Sequence, residues 1–282
     1  RDHAAGPMSS PTAAKDSVRR IEIIGIGLGS PDHLTGQAVA AMREVDVFLV
    51  ADKGEVKSEL VELRRAVCER YLEPGSYRFV TVADPERGPD AERDRAAYRE
   101  GVDAWHTARA KAYADVIAAL PPETVVGFLV WGDPAFYDST IRIVDAVATY
   151  LPVQRRVYAG LSAVQVLAAE HGIVLNGIGQ AIHVTTGRRL ASDWRPDLGT
   201  VVVMLDGSLH CRELMEREPE LVIHWGANLG LPSQQLRSGR LADVIDEITE
   251  VRAQVRAEHG WVMDAYALSL PESRDGTHQN RV

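Results

Sequence analysis

The chain has 282 residues, of which 45% are hydrophobic and 25% are charged, and its formal net charge is −9. The length exceeds what one hydrophobic core normally fills, so we expect two domains, and the composition excludes a mainly disordered chain. The apolar run 125–131 is far shorter than a membrane-spanning helix, and the acidic balance argues against sequence-independent nucleic-acid binding. Two cysteines do not make a disulfide framework and no apolar leader opens the chain, so we expect a cytoplasmic protein.

Both ends of the chain are expected to lie outside the fold. Residues 1–7 precede Met8 and look like an expression or protease-cleavage remnant. Residues 271–282 form a polar tail that we expect to fray.

The first half of the chain alternates between strand and helix patterns. Residues 18–25 form a β-branched strand that runs into a glycine-rich turn, and residues 34–42 repeat apolar side chains at helical spacing with Thr35 as N-cap. A second strand at 46–50 completes a βαβ unit, the unit that generates parallel sheets. Further strands are predicted at 77–82 and 125–131, a loop at 84–90, and helices at 58–71, 139–150 and 91–120, the last as one helix or as two that break near Gly101.

We place the domain boundary after Pro152, which gives an N-terminal α/β domain over 18–152 and a C-terminal α/β domain over 153–270. The second half is expected to repeat the alternation. Strands are predicted at 153–158, 181–185, 200–205, 221–225 and 261–268, and helices at 162–171, 210–217 and 241–259. The expected fold class is therefore α/β, with two α/β domains.

Three turns that follow strands have residues that suit a ligand. Glycines in 25–29 let a ligand approach the backbone closely, although Ser30 stands where a dinucleotide fingerprint requires glycine. The Gly-Asp-Pro turn at 132–134 can either accept hydrogen bonds from a ligand or cap the next helix. In the third turn, 159–163, Ser162 either contacts a ligand or serves as a plain N-cap.

The order and spacing of these turns resemble the tetrapyrrole methylase family, whose members transfer a methyl group from S-adenosylmethionine to intermediates of corrin and sirohaem biosynthesis. The resemblance runs from residue 21 to about residue 270 and includes Thr35, Met204 at a strand end, and residues 225–227. Leu28 and Ser30 depart from the family's common pattern, in which a proline and an aspartate are usual.

Two further stretches, 47–54 and 98–113, are similar to the family member that methylates carbon 1 of precorrin-5 while an acetyl group leaves as acetate. The resemblance implies a homodimer, with S-adenosylmethionine in a cleft between the two domains and Gly27 on the substrate side. The cofactor contacts that it implies are Gly132, Asp133, Phe136, Ser162, Ala163, Met204, Gly226 and Ala227.

The many carboxylates of such a substrate require cations at the site, because an acidic protein repels them at long range. Arginine is the natural partner, since its planar guanidinium binds a carboxylate through two hydrogen bonds. We name Arg99 and Arg109 as substrate-binding candidates, followed by Arg95, Lys111 and residues 188–189. The interleaved acidic residues fit a solvated helix face equally well.

Loss of the acetyl group needs water to attack a ketone-like carbon, which a general base assists. The catalytic candidates are Asp52, which follows a strand end, Lys53, which can steady an oxyanion, and His106, which titrates near neutrality. A surface salt bridge or a packed helix position explains each of these residues equally well. Histidine and cysteine spacings do not suggest a metal site.

Several other functions stay open from the sequence. One is a methylase of the same family that acts at a different ring carbon, or on ribosomal RNA or a diphthamide precursor, although the acidic charge speaks against RNA. A non-catalytic corrinoid-binding protein is a second alternative. A nicotinamide-dependent dehydrogenase is a third, motivated only by the first glycine turn.

Overall fold

The computed structural model describes residues 17–52, 58–83 and 95–271, with the backbone alone described at 52, 58–59 and 95–104. The chain forms two compact units, Arg1–Leu161 and Ser162–Val282. We expected the division after Pro152, but strand Val153–Tyr158 pairs with the first strand of the first unit and therefore belongs to it. In the described residues, each unit has one five-stranded sheet with helices packed against it, which confirms the α/β class.

The described part of the first unit contains five strands and four α-helices. The strands are β1 (Arg19–Gly25), β2 (Val47–Asp52), β3 (Arg78–Ala83), β4 (Val126–Val130) and β5 (Val153–Tyr158), and the helices are α1 (Gly36–Met42), α2 (Ser58–Tyr71), α3 (Arg95–Ala119) and α4 (Thr140–Val147). The strand order is β3-β2-β4-β1-β5, and neighbouring strands run parallel. Because parallel strands end at the same edge of a sheet, the turns after β4, β1 and β5 lie side by side.

The first sheet is covered by helices on both faces, which explains the nearly unbroken apolar sequences of its inner strands. Ile21 and Ile23 of β1 pack in the core formed with α3 and α4, whereas Ile24 packs in the core formed with α1 and α2. The buried Arg19 donates hydrogen bonds to the backbone carbonyls of Leu120 at 2.9 Å and Pro121 at 2.7 Å, just after α3 ends. A cation is favourable at a helix C-terminus, so the strand begins with a charged residue for a structural reason.

Two local predictions for the first unit are settled. Thr35 caps α1, because its side-chain oxygen accepts the backbone N–H of Ala38 at 3.1 Å. The α3 helix is continuous through Gly101, so a single helix is correct. The predicted loop at 84–90, the remnant at 1–7 and the tail from 272 onwards lie outside the described residues.

The second unit has a different sheet from the one we expected. Its described strands are β6 (Ile182–Thr186), β7 (Thr200–Met204), β8 (Val222–Ala227), β9 (Gln235–Arg240) and β10 (Asp264–Ser269), and its helices are α5 (Ala163–His171), α6 (Gly187–Asp193) and α7 (Leu241–His259). The order is β6-β7-β10-β8-β9, with β6 and β7 parallel and the other pairs antiparallel. The expected alternation of strands and helices does not include β9 or α6, and it is wrong at these two elements. The predicted helix at 210–217 is a short 3-10 helix, His210–Leu214.

Both cysteines are buried and free. Burial raises the pKa of Cys68 and of Cys211 to about 12, so both thiols are protonated at neutral pH. They are packing residues of their units. No helix in the described ranges is long and apolar enough to cross a bilayer.

Candidate active site

Four glycines bring the turns after β1, β4 and β5 into backbone contact, and we call Gly25, Gly27, Gly132 and Gly160 the glycine junction. The Gly27 nitrogen donates to the Gly132 oxygen at 3.3 Å, and the Gly132 nitrogen donates to the Gly27 oxygen at 2.7 Å. A Cβ atom on Gly160 would lie 2.1 Å from the Gly132 oxygen, and one on Gly25 would lie 2.6 Å from the Gly160 nitrogen. Only residues without side chains permit this approach.

Asp133 links the turn after β4 to the turn after β5. One carboxylate oxygen accepts the backbone N–H of Gly160 at 2.8 Å, and the other accepts that of Ala135 at 2.8 Å. The helix-capping alternative is wrong, because the next helix, α4, begins at Thr140, whose N–H is accepted by Asp138. Asp133 instead closes its own turn and makes a second bond to the glycine junction. Phe136 and Tyr137 follow, with 37% and 47% of their surface exposed. The predicted residues Gly27, Gly132 and Asp133 thus come together in one fixed backbone structure, followed along the chain by two exposed aromatic rings.

A cavity of about 420 Å³ lies at the carboxyl ends of β2, β3 and β4, and we call it the β2–β4 cavity. Helices α2, α3 and α4 complete its walls, and its charged lining residues include Arg64, Arg109 and Asp138. Arg109 is 8% exposed, and its guanidinium carbon lies 4.7 Å from the ring centroid of Trp105 and 5.9 Å from that of Tyr113. The predicted substrate-binding Arg109 therefore faces a cavity from a fixed position.

Of the three catalytic candidates, His106 is the one whose side chain is described. Asp52 ends β2 directly after Ala51, which lines the β2–β4 cavity, but only its backbone is described. Lys53 lies outside the described residues. His106 lies in α3, with its ring centroid 5.1 Å from that of Trp105, and is not among the described residues that line the cavity. In the described parts of the chain, no group of three or more His, Cys, Asp or Glu residues could hold a metal ion.

The other predicted cations divide into two groups. Arg95 and Arg99 lie in α3, where the backbone alone is described. Lys111 forms an exposed ion pair at 2.7 Å with the aspartate one helical turn later, and Arg189 forms one at 2.9 Å within α6. Arg188 is exposed as well. Lys111 and the two arginines of α6 therefore lie on solvent-exposed helix faces, as the alternative interpretation of these cations predicts.

The predicted cofactor residues of the second unit share one edge of its sheet. Met204 ends β7, and Gly226 and Ala227 end β8; both strands neighbour β10 and run antiparallel to it. Met204 is half-buried, whereas the other two residues are buried. A Cβ atom on Gly226 would lie 2.6 Å from Leu229 Cδ2 and 3.0 Å from Leu167 Cδ1, so the glycine keeps space for these side chains.

Ser162 begins α5 as its N-cap and is 1% exposed. Its side-chain oxygen accepts the backbone N–H of Val164 at 3.2 Å, and the Gln165 side chain accepts the backbone N–H of Ser162 at 2.9 Å. Ala163 is the first residue of the helix. The structure therefore shows the N-cap role that we weighed against a ligand contact.

Asp206, which the sequence analysis missed, holds the loop that follows Met204. Its carboxylate accepts the hydroxyl of Tyr266, the backbone N–H of Ser208 at 3.1 Å, and the backbone N–H and ring Nδ1–H of His210 at 2.8 and 2.6 Å. An aspartate followed by glycine after a strand indicates a turn, but the sequence does not reveal that the carboxylate is buried. Arg64 was missed for a similar reason, because it lies in an ordinary amphipathic helix pattern.

Comparison with known proteins agrees with this architecture. Residues 20–245 match the family described as Tetrapyrrole (Corrin/Porphyrin) Methylases. A precorrin-6A synthase [deacetylating] from a Sinorhizobium species is 42% identical over 258 residues, which cover 90% of this chain and 97% of the relative. The crystal structure of a cobalamin synthesis related protein (CobF) from Corynebacterium diphtheriae is 38% identical, with a TM-score of 0.75 and coverage of 90% of this chain and 99% of that chain.

A more distant structure has the same fold. It is a uroporphyrin-III C-methyltransferase from Thermus thermophilus in complex with S-adenosyl homocysteine, 19% identical, with a TM-score of 0.51 over 89% of this chain and 92% of that chain. The family match and the 42% identical relative both span most of the sequence. The chain therefore belongs to the tetrapyrrole methylase family.

Proposed function

We propose that the chain transfers a methyl group from S-adenosylmethionine to carbon 1 of precorrin-5 and releases the acetyl group as acetate, giving precorrin-6A. The observation that carries this proposal is the 42% identity to a precorrin-6A synthase [deacetylating] over 90% of this chain and 97% of that relative. Similarity of this extent includes both units. It favours the deacetylating methylase over a family member that acts at another ring carbon and over a non-catalytic binding protein.

The proposed cofactor, S-adenosylmethionine, supplies an electrophilic methyl group when bound. The residues present fit such a ligand. The two backbone N–H groups bound by Asp133 use about half of the acceptor sites of a carboxylate, and the remaining sites suit an ammonium group. The half-buried Met204 offers a soft apolar surface, which suits a flat purine, and Gly226 and Ala227 lie buried at the same edge of the sheet. The bound S-adenosyl homocysteine in the uroporphyrin-III C-methyltransferase supports the same cofactor class.

We assign the cofactor contacts by unit. In the first unit, Gly132, Asp133 and Phe136 bind the methionine part. In the second unit, Ser162 and Ala163 contribute backbone groups, and Met204, Gly226 and Ala227 pack against the adenosine.

The protein's own contribution is alignment and exclusion of water, because a sulfonium methyl group is already reactive. A fixed glycine junction suits alignment, since its backbone hydrogen bonds leave the turns little freedom. Gly27, Arg99 and Arg109 are the proposed substrate-binding residues, and the rings of Trp105 and Tyr113 restrain the guanidinium of Arg109. The same proposal includes a homodimer located in the cytoplasm, where the two buried free thiols would stay reduced.

For loss of the acetyl group, we propose a general base among Asp52, Lys53 and His106. Asp52→Asn and His106→Ala variants are expected to separate the candidates, because removing the base lowers acetate release by about 100-fold or more. The measurement is acetate released per methyl group transferred, with affinity for S-adenosyl homocysteine as the control for an intact cofactor site. A variant that still releases acetate at the wild-type rate excludes the substituted residue as the base.

The whole proposal is tested by two measurements on the full chain. Isothermal titration with S-adenosylmethionine and S-adenosyl homocysteine is expected to show saturable binding, and mass spectrometry after incubation with precorrin-5 is expected to show one methyl gained and one acetyl lost. Binding without this mass change would point to another ring carbon or substrate. Binding of a tetrapyrrole without either cofactor form would support the corrinoid-binding alternative.

A further inference from the structure

The β2–β4 cavity combines apolar walls with two arginines, the half-buried Arg64 and the buried Arg109. Leu49 of β2, Phe128 of β4 and Ile143 of α4 supply apolar surface, and Thr81 of β3 supplies a hydroxyl. The volume of about 420 Å³ falls within the roughly 300–1,000 Å³ that is typical of small-molecule sites. The lining therefore suits a ligand with a short apolar part and one charged end.

Arg64 reaches this cavity from α2. Its Nε donates to the backbone carbonyl of Leu129 at 3.1 Å, and its Nη1 donates to that of Leu60 at 2.9 Å. Among the described residues, no hydrogen bond involves its Nη2 and no carboxylate forms an ion pair with it. Burial lowers the pKa of Arg64, and the charge of Asp138 opposes this effect only partly.

The acidic residues that line the cavity have other partners. Glu62 pairs with Arg65 at 3.5 Å, and its side chain is 71% exposed. Asp138 accepts the backbone N–H of Thr140 at 2.6 Å, at the start of α4. Arg109, which is buried, adds a second cation to the lining beside the half-buried Arg64.

Burying a guanidinium is unfavourable unless hydrogen bonds and an opposite charge replace its water. A carboxylate is the group that best matches its planar geometry. We propose that the β2–β4 cavity is a carboxylate subsite, in which Arg64 binds the carboxylate of a short aliphatic acid whose carbon atoms pack against Leu49, Phe128 and Ile143. The acid is either a side chain of the tetrapyrrole substrate or the acetate that leaves, and this choice of sources rests on the proposed function.

The subsite is tested first without any tetrapyrrole, by saturation-transfer NMR of propionate and acetate with the full chain. Propionate is expected to bind saturably, and its neutral counterpart propionamide is expected not to bind. The Arg64→Met substitution is expected to weaken propionate binding by about tenfold or more, because a charged hydrogen-bond partner is lost. Arg64→Lys keeps the charge but lacks the planar guanidinium, so it is expected to weaken propionate binding by a smaller factor. If Arg64→Met does not fold, the test uses Arg64→Lys alone.

Arg65→Lys is the matched control, because lysine keeps a charge for the ion pair with Glu62, which lines the cavity. Arg65 is the next residue of α2, packs its guanidinium over the Phe79 ring at 4.8 Å and is not part of the cavity lining. Its substitution is expected to leave propionate binding unchanged. Three results would each overturn the proposal: no saturable propionate binding by the wild-type chain, equal binding of propionamide, or wild-type affinity in every Arg64 variant that folds.

Turnover of precorrin-5 by Arg64→Lys separates the two sources. A bound substrate side chain predicts a raised KM with kcat little changed, whereas a bound leaving acetate predicts a lowered kcat and product inhibition by acetate in the wild type. Wild-type kcat and KM in Arg64→Lys would overturn a role for the subsite in this reaction. A chain that binds propionate through Arg64 but methylates no precorrin would overturn the proposed function and leave the subsite in place.

Discussion

Replacing Gly160 with alanine is expected to destabilise the first unit by about 3 kcal/mol or more, because the added methyl group meets backbone atoms on two sides. The new Cβ atom would lie 2.1 Å from the Gly132 oxygen and 2.8 Å from the carbonyl carbon of Gly25. A flexible side chain could rotate away, but these atoms belong to turns that β1 and β4 hold in place. The substitution therefore separates the turns, and with them the Gly160 N–H from its acceptor, Asp133.

The measurement is denaturant unfolding followed by circular dichroism, together with titration of S-adenosyl homocysteine. Gly36→Ala is the matched control, because a Cβ atom on Gly36 has no neighbour within 4 Å and the residue begins α1. That change is expected to be neutral or to stabilise by up to about 1 kcal/mol. If Gly160→Ala unfolds at the wild-type denaturant concentration, the three turns are not in backbone contact and the glycine junction has no role in the site.

The elements of the first unit are largely predictable because their signals are local. The β-branched run that contains Ile21, Ile23 and Ile24 lies between turn residues, and such a run fits a strand that is buried on both faces. The cap at Thr35 is equally local, since one side chain and one N–H three residues later define it.

The wrong predictions concern which strands pair with each other. Pairing between distant parts of the chain leaves no local pattern in the sequence. Strand β5 belongs with β1, whose residues come more than a hundred positions earlier, so the boundary placed before β5 is too early. Strand β9 contains one strongly apolar residue, Leu236, because it lies at the edge of its sheet and needs little apolar surface. The antiparallel placement of β10 between β7 and β8 likewise depends on contacts far apart in the chain.

The candidate site shows the same division between local and distant signals. Turns at the ends of strands identify Gly27, Gly132 and Asp133 as residues of interest, but the bond from Gly160 to Asp133 joins positions 27 residues apart. Arg64 and Arg65 are neighbours in one amphipathic helix and look alike in the sequence. Only the packing of α2 determines that Arg64 lines the β2–β4 cavity and that Arg65 stacks on Phe79.

The loop after Met204 combines strained backbone at two leucines with one buried carboxylate, that of Asp206. Leu205 and Leu209 have φ angles of 53° and 54°, a left-handed conformation that branched and bulky residues rarely adopt. Such residues stay in place only where surrounding contacts fix them, at a cost of about 1–3 kcal/mol each. Asp206 lies between them, and its bonds to Tyr266 and His210 provide that restraint.

Replacing Asp206 with alanine is therefore expected to destabilise the second unit by about 4 kcal/mol. The change leaves the buried hydroxyl of Tyr266 without its acceptor, at a cost of about 1–3 kcal/mol, and the less buried N–H groups of Ser208 and His210 lose their acceptor as well. The rest of the expected loss comes from releasing the strained loop. The variant is also expected to bind S-adenosyl homocysteine more weakly, because the loop directly follows Met204. Asp246→Ala is the matched control, since Asp246 is 88% exposed and forms only a surface pair, and it is expected to be nearly neutral.

The carboxylate of Asp206 is also expected to account for part of the loss of folding stability at acid pH. Burial alone would raise the pKa of Asp206, but the hydrogen bonds from Tyr266, His210 and Ser208 outweigh burial and hold the pKa below its ordinary value. A lowered pKa stabilises the fold above the unfolded-state value of about 3.9, and this stability is lost as the pH falls through the folded-state value. Unfolding free energies measured from pH 7 to pH 3 should therefore fall more steeply below about pH 4 in the wild type than in Asp206→Asn. Equal slopes, or an Asp206→Ala chain within about 1 kcal/mol of the wild type, would mean that other contacts restrain Leu205 and Leu209 and that the carboxylate is not what positions Met204.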